Sequence, residues 1–424
     1  MPNLRFAPVA WSLLLAGCVT SSAVTGAAPG ASATPPPTAG QPAASPIPAS
    51  AGNTIEVWMP PSLAVVDSPA ADDLLAAQIV QFKESHPDVD VRVLFKRAAG
   101  RGGLLDSLTT AYNVAPSILP NLIALSRTDL AAAAAVGLVV PLDGLIPPQT
   151  LDDYYPFAQA MSRVEGALVG LPFAADARVM AYNTEAYPTA PLTWSEVTTG
   201  PLLVPGAEAT SLALVSQYLA LGGALADASG RVALDPNLLA EVLTFFQGLQ
   251  TSGVLPLSSL TYSDTAATWQ VFRERRAALA VTSAQWYLAE RERIAAGAAA
   301  LLPTRDGKPL ALADGWSWAI VNTAPARQPL TAELMLWLTD PAQLAPWTLA
   351  ARVLPPRASA LAGWGDSPLA PFASNVLIHA QLQPSAEILA VVGPPLRQAL
   401  DDVLNGRADP LTAATQAAQS VASH

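Results

Sequence analysis

The stretch from Glu165 to Glu196 constrains the fold of this chain more than any other. Two strand-like runs flank a break at Gly170-Leu171-Pro172. Gly170 permits an unusual backbone angle, and Pro172 fixes φ and removes a backbone donor. The second run, Arg178-Val-Met-Ala-Tyr182, ends at Asn183. Thr193-Trp-Ser-Glu196 follows with the spacing of a helix capping box. The rest of the chain reads as what lies on either side of this extended crossing.

On the N-terminal side, Ile55-Glu-Val-Trp58 is a short alternating strand. Ser68-Pro69 suits a helix cap and first helical position. Ala71, Leu74, Leu75, Ile79 and Phe82 form a helical stripe that ends before Pro87. Val89, Val91, Val93 and Phe95 alternate with Asp90, Arg92 and Leu94 as a second strand. This β–α–β opening is that of a parallel sheet with crossover helices. Leu104, Leu105, Leu108 and Tyr112 predict another helix, and Pro120 to Leu125 a buried strand. Ser126-Arg127-Thr128 stands at the carboxyl end of that strand, where open α/β sheets place ligands. Arg127 and Thr128 are therefore candidate cleft residues, with an ordinary exposed cation as the alternative for Arg127. Gly100-Arg-Gly-Gly103 is a loop without the G-x-G-x-x-G spacing. Beyond Trp194 the pattern is helix-rich, with Asp235-Pro236 and Asp264 as caps. A strand at Ala277–Ser283 precedes Gln285-Trp286.

Several of these segments resemble one family. Gly166, Gly170-Leu-Pro172, Tyr182-Asn183 and Pro191-Leu-Thr-Trp194-Ser-Glu196 match the order G-x-x-x-G-L-P, Y-N, P-x-T-W-x-E of extracellular solute-binding protein family 1. That is the maltose-binding-protein-like group of ABC-importer lipoproteins. Gly137-Leu-Val-Val-Pro-Leu-Asp143 is similar to the family's G-L-(L/I)-x-P-L-D segment, with Asn121 where Asp is usual. The run into Trp286 resembles its f-x-x-G-x-A-A-M element, with Arg275 for Gly and Leu279 for Met. Arg352-Val-Leu-Pro-Pro-Arg357 resembles its G-x-l-P-x-R turn, with Ala351 or Arg352 in place of Gly. The resemblance runs in order from about residue 54 to about residue 420.

The resemblance implies an α/β, two-lobed periplasmic-binding-protein fold of type II-like form. Each lobe would be a mostly parallel sheet flanked by helices. Three hinge crossings are expected, near 174–182, 313–319 and 353–357. Residues 54–176 with 318–354 would form one lobe, and 177–317 with 355–424 the other. It also implies cleft positions. Trp286 matches a Trp that stacks on ligand in sugar-binding members, and Asp176 falls where members place a polar contact. Trp58 and Trp316 fall at places the family uses for its cleft. Trp316 and Trp318 share one face by period two, with Trp318 read as core. The same alternation puts Asp176, Arg178 and Tyr182 on one face.

The N-terminus reads as an address. Arg5, an apolar run from Phe6 to Leu15 and then Leu15-Ala-Gly-Cys18 have the layout of a secretory signal, 1–18, ending in a bacterial lipobox. Cys18 is the only Cys in the chain, so it is the expected lipidation site. Residues 19–53 are almost entirely Ala, Ser, Thr, Pro and Gly, and read as a disordered linker. The expected location is extracytoplasmic, anchored by lipid to the cell membrane.

Composition excludes several classes. A net charge of −11 without a basic stripe argues against nucleic-acid binding. Three His and one Cys offer no typical zinc ligand set, and no metal or other cofactor is expected. No G-x-S-x-G, H-E-x-x-H or P-loop occurs. Glu165 and Asp176 are the one conceivable glycosidase pair. With these classes set aside, the family resemblance implies a non-enzymatic, monomeric protein that captures a solute by hinge closure and delivers it to ABC-importer permease subunits. Ten Trp favour a sugar or oligosaccharide, which needs flat aromatic surface and a polar rim. The alternatives are an anionic polyol clamped by Arg127 and Arg178, and a ligand-sensing lipoprotein.

Overall fold

The structure is a computed structural model in which residues 53–61, 63 and 67–423 are described. The signal at 1–18 with Cys18, the linker up to residue 52 and His424 lie outside the described residues.

The chain enters through β1 (Asn53–Met59) and α1 (Pro69–Ser85). Ser68 caps α1 by accepting from the Ala71 N–H, and Pro69 occupies the first turn, where no N–H is needed. β2 (Val89–Phe95) pairs parallel with β1 from Asn53↔Val89 to Met59↔Phe95. It is the sheet edge, so Leu94 and Phe95 stay exposed despite their apolar character. After α2 (Leu104–Val114), β3 (Leu122–Ser126) pairs parallel on the other side of β1. Asn121 is buried, and its side-chain oxygen accepts from the Glu56 N–H at 2.9 Å. An amide oxygen serves there as a carboxylate would, which explains the departure from Asp. α3 (Arg127–Ala135) starts directly from β3, capped by Ser126.

α4 (Pro156–Met161) leads into a two-residue hairpin, β4 (Arg163–Val164) and β5 (Ala167–Leu168), turned through Glu165 and Gly166, both at positive φ. β6 (Leu171–Asn183) follows as one long strand. Gly170 does not have a left-handed φ; what requires glycine is space. A Cβ there would meet Leu130 Cδ2 at 2.8 Å and Ser317 Cβ at 2.9 Å. Pro172 sits where the pairing with the later strand shifts register, a site that tolerates its missing N–H.

β7 (Leu202–Leu203), α5 (Leu212–Ala220), α6 (Pro236–Thr251), α7 (Thr265–Arg273), β8 (Leu279–Ser283), α8 (Ala284–Glu290) and β9 (Gly297–Ala300) come next. Asp235 and Asp264 cap α6 and α7 as expected, and Thr193 to Glu196 form the capping box. Arg275 adopts φ 59° at the family's Gly position. β10 (Ala311–Ile320) returns across the sheet. α9 (Gln328–Thr339) and α10 (Pro341–Ala351) follow, then Arg352 at φ 56°, which identifies it as the residue replacing Gly. The chain closes with α11 (Ala358–Ala362), α12 (Ala370–Ile378), β11 (Ala380–Leu382), α13 (Ala386–Leu404) and α14 (Pro410–Ala422).

The sheet order is β2-β1-β3-β10-β6-β8-β7, with β11 beside β10 and β9 beside β6. Pairs β1–β2, β1–β3, β7–β8 and β10–β11 are parallel, whereas β10 is antiparallel to β3 and β6, and β6 to β8 and β9. β6 changes partners along its length. Residues 171–177 pair with β10, and residues 178–183 lie between β8 and β9. Leu354 exchanges two 2.9 Å backbone hydrogen bonds with Ala175. The segments near 175, 314 and 354 thus lie side by side.

Most of the buried side chains fall into two large cores. One core gathers Ile55, Val57 and Phe82 with Phe173, Trp318, Leu334, Leu344 and Trp347, and includes Leu361, Val376 and Leu377 of α11 and α12. A second gathers Met180, Val215, Leu243, Phe246, Val281, Leu396 and Leu400. Fully burying a Leu, Val or Phe side chain contributes about 1.5–3 kcal/mol, so each core is a substantial source of stability.

Candidate functional site

Where β6 changes partners, a cleft of about 330 Å³ opens. That is near the lower end of small-molecule sites, roughly 300–1,000 Å³. Its lining comes from element ends. Ser126, Arg127 and Thr128 stand at the carboxyl end of β3; Ser283 and Gln285 mark the turn from β8 into α8; Thr265 opens α7. Asp176 to Arg178 come from the middle of β6 and Asp314 to Trp316 from the middle of β10, with Leu63, Leu312 and Gln383 completing the wall.

Asp176 is partly exposed to the cleft. Its Oδ1 accepts from the Ala177 N–H at 2.8 Å and the Gln285 N–H at 3.0 Å. Burial pushes its carboxyl above the ordinary carboxylate value; these N–H groups, Ser283 and the Arg178 charge pull the other way. Gln285 Nε2 donates to the Leu63 carbonyl at 3.1 Å, joining two wall elements.

Both arginines of the cleft are already paired. Arg127 donates from Nε to Asp314 Oδ1 at 3.1 Å and from Nη2 to the Pro384 carbonyl at 2.7 Å. Burial pushes the Asp314 carboxyl up despite the Arg127 charge beside it. Arg178 donates from Nη2 to Glu208 Oε1 at 2.7 Å, and the two side chains are only 10% and 14% exposed. Glu208 Oε2 in turn accepts from the Leu212 N–H at the start of α5, where a negative charge is favoured. Nη1 of Arg178 is buried and has no partner.

Of the residues singled out in the sequence, the structure brings Arg127, Thr128, Asp176, Arg178 and Trp316 together in the cleft. Trp58, Tyr182 and Trp286 do not line it. β1 is a central strand, so Trp58 is 2% exposed and packs in a small core with Leu104, Leu108 and Leu130; its indole N–H donates to Glu56 Oε1 at 2.8 Å. Lys96 lies 4.1 Å over its ring. Tyr182 packs on the second core, and Trp286, one turn into a helix, packs beside Trp269, Phe272 and Tyr287. Trp318 is core, stacked on Phe173 at 4.5 Å. Glu165 is exposed in the β4–β5 turn and is absent from the cleft wall, so the glycosidase pair is not assembled.

Gln285, Glu208 and Thr265 were not singled out. Gln285 was one position from the residue that was, and a register count along β8 into α8 would have found it. Glu208 sits in a loop with no local signal. Asp314 falls within the crossing expected near 313–319. A larger apolar groove of about 560 Å³ runs along α6 and α14, but Trp194 there is stacked on Phe245 and its N–H is taken by Gln217. Among the described residues, no group of His, Cys, Asp or Glu could hold a metal ion, and no helix is long and apolar enough to cross a membrane.

The family described as bacterial extracellular solute-binding protein matches residues 77–376, well over half of the chain. Nothing among the curated proteins matches. Among solved structures, the cyclic alpha-maltosyl-1,6-maltose binding protein from Arthrobacter globiformis is 21% identical, with a TM-score of 0.71 over 87% of this chain and 98% of that one. The GacH receptor of Streptomyces glaucescens, solved unliganded and with acarbose, is 19% identical, with a TM-score of 0.66 over 86% and 96%. The maltose/maltodextrin-binding domain MalE from Bdellovibrio bacteriovorus, bound to maltotriose, is 18% identical, with a TM-score of 0.62 over 87% and 99%. At these identities the likeness is one of fold, the periplasmic-binding-protein fold.

Proposed function

Because the chain belongs to the bacterial extracellular solute-binding protein family, it is a solute binder and not an enzyme, and we propose that its solute is a neutral sugar or short oligosaccharide. The observation that carries this reading is the charge pairing of the cleft. Arg127 and Arg178 are each held by a carboxylate, Asp314 and Glu208. An anion would have to enter beside those carboxylates and Asp176, which disfavours a phosphate or acid clamp. The flat face of Trp316 and the Asp176 and Asp314 carboxylates, which accept from hydroxyl groups, suit a polyol. The fold neighbours from Streptomyces and Bdellovibrio carry acarbose and maltotriose, which supports the same ligand class.

Capture follows from hinge closure. Lobes at 54–176 with 318–354 and 177–317 with 355–424 move about the adjacent crossings at Ala175, Asp314 and Leu354. A solute touching both lobes stabilises the closed form by its differential affinity. The loaded protein, monomeric and anchored through lipid at Cys18, presents the solute to ABC-importer permease subunits.

Titration with glucose, maltose, maltotriose and maltotetraose tests the ligand class. Sugar binding quenches Trp fluorescence, is lost in Trp316→Ala and changes little with salt. A tight ligand at 100 times its dissociation constant raises stability by about 2.7 kcal/mol. Normal binding by Trp316→Ala together with a salt-sensitive affinity for a sugar phosphate would replace this reading with the anionic one.

A further inference from the structure

At the end of β6 away from the cleft, a second pocket of about 220 Å³ is lined by Arg273, Arg275 and Arg293, by Asn183 and by apolar side chains. Asn183 stands five residues along β6 from Arg178 of the cleft wall, roughly 17 Å at about 3.4 Å per residue. Among the described residues, no Asp or Glu lines this pocket. In a chain with a net charge of −11, three guanidiniums around so small a space are not what composition alone would place there.

The three cations outnumber the anions behind them. Arg273 and Arg293 share the buried Glu290, at 3.0 and 3.8 Å, and Glu290 also accepts from the Trp269 indole N–H at 2.6 Å. Arg275 donates from Nη2 to Glu185 at 2.8 Å. The neighbouring Glu274 and Glu292 are engaged by Arg276 and Arg352. Each of the three arginines uses one nitrogen in these pairs, and a guanidinium has further N–H donors to offer. The side chains of Arg273, Arg275 and Arg293 are 46%, 60% and 70% exposed, so those donors are open to a ligand entering from solvent.

Arg275 is the least expected of the three. α7 ends in a turn where the Arg275 N–H donates to the Phe272 carbonyl at 2.8 Å and the Arg276 N–H to the Val271 carbonyl at 3.2 Å. Such an ending needs a left-handed residue at 275, where φ is 59° and glycine is favoured. An arginine there is strained, and an ion pair as exposed as that with Glu185 offsets little of the strain.

We propose that this pocket binds a phosphate group, free or as a monoester, through Arg273, Arg275 and Arg293. Guanidinium forks match phosphate oxygens in pairs, and three forks around one centre call for more oxygens than a carboxylate has. A volume below the roughly 300 Å³ at which ordinary ligand sites begin suits one small oxyanion. The phosphate supplies the negative charge that the two carboxylates leave short. The site is separate from the cleft, so the proposal does not rest on the sugar reading.

The test titrates inorganic phosphate into the full chain by thermal melting, with chloride holding the ionic strength constant. The proteins are the wild type, Arg275→Gly, Arg275→Lys and Arg293→Gln. Phosphate is expected to raise the melting temperature of the wild type, with an affinity about tenfold lower in Arg275→Gly and Arg293→Gln and intermediate in Arg275→Lys. Arg275→Gly also relieves the backbone strain, so without phosphate it should melt close to the wild type, which separates lost binding from lost folding. Glycerol 3-phosphate and vesicles containing phosphatidic acid distinguish the sources of the group. A shift with the first marks a soluble monoester, and pelleting with the second that is lost in Arg275→Gly marks a lipid headgroup. The inference is overturned if phosphate binds equally well to all four proteins, if chloride alone gives the same shift, or if acetate binds as tightly as phosphate.

Discussion

Glu208→Leu should be the most damaging single change near the cleft, and its cost can be worked from two contacts. The first is the pair with Arg178, 2.7 Å apart between side chains 10% and 14% exposed. With so little solvent access, screening is weak, and stranding one member of such a pair costs about 3–5 kcal/mol. The second is the acceptor for the Leu212 N–H at the start of α5, worth about 1 kcal/mol as a cap. Glu208→Leu should therefore destabilise by about 4–6 kcal/mol. Arg178→Met/Glu208→Leu removes both charges, so only the cap is lost, about 1 kcal/mol. Thermal melting of the two variants reads the difference directly. At about 2–4 °C per kcal/mol, the difference of about 3–5 kcal/mol should put the single variant about 6–20 °C below the double. Equal melting temperatures would refute the reasoning, because they would mean that the buried guanidinium does not depend on Glu208.

Gly170→Ala should cost about 1–3 kcal/mol by overpacking, since its Cβ would lie within 3 Å of Leu130 and Ser317; unfolding in urea checks it. Cys18→Ser should move the protein from the membrane to the soluble fraction, and a variant that stays equally membrane-bound would contradict lipidation. Deletion of residues 19–52 should leave sugar affinity and melting temperature unchanged, as measured by calorimetry; Asn53 stays because it is the first residue of β1. Burial holds the Asp176 and Asp314 carboxyls above their ordinary value, so the ligand-free protein gains stability as pH falls through that raised range and loses it as pH rises. Sugar hydroxyls favour the ionised carboxylates, so affinity should fall over the same range; titrations from about pH 7 down to about pH 4 test this, and a flat profile would contradict it.

Features governed by local rules were readable along the chain. Ser68-Pro69, Asp235-Pro236 and Asp264 start helices because a short side chain meets the free N–H groups a few residues on, whatever the rest of the protein does. Arg275 and Arg352 hold positive φ where the family has Gly, so the backbone path outlasts the residue that would favour it. Gly170 marks the limit. Its neighbours in sequence point to a backbone angle, but its reason is the approach of Leu130 and Ser317, which only the assembled sheet brings there.

The same limit separates the parts of the cleft that were legible from those that were not. Arg127, Thr128 and Asp176 could be placed because strand ends and strand alternation fix where a side chain points. Trp58 satisfies the same alternation, yet β1 is flanked by β2 and β3 and covered by α2, so the face that carries Trp58 is core. Glu208 lies 30 residues from Arg178 in a loop without periodicity, and nothing in either segment announces the other. That partner changes the chemistry of the site. Taken singly, Arg127 and Arg178 look like an anion clamp, and the number of Trp residues looks like the argument for a sugar. Among the described residues Trp316 is the one Trp that lines the cleft, and the stronger argument is that each arginine brings its own carboxylate. A cleft that has balanced its charges internally discriminates by hydrogen-bond direction rather than by net charge. A neutral ligand with many oriented hydroxyls is what such a cleft can tell apart.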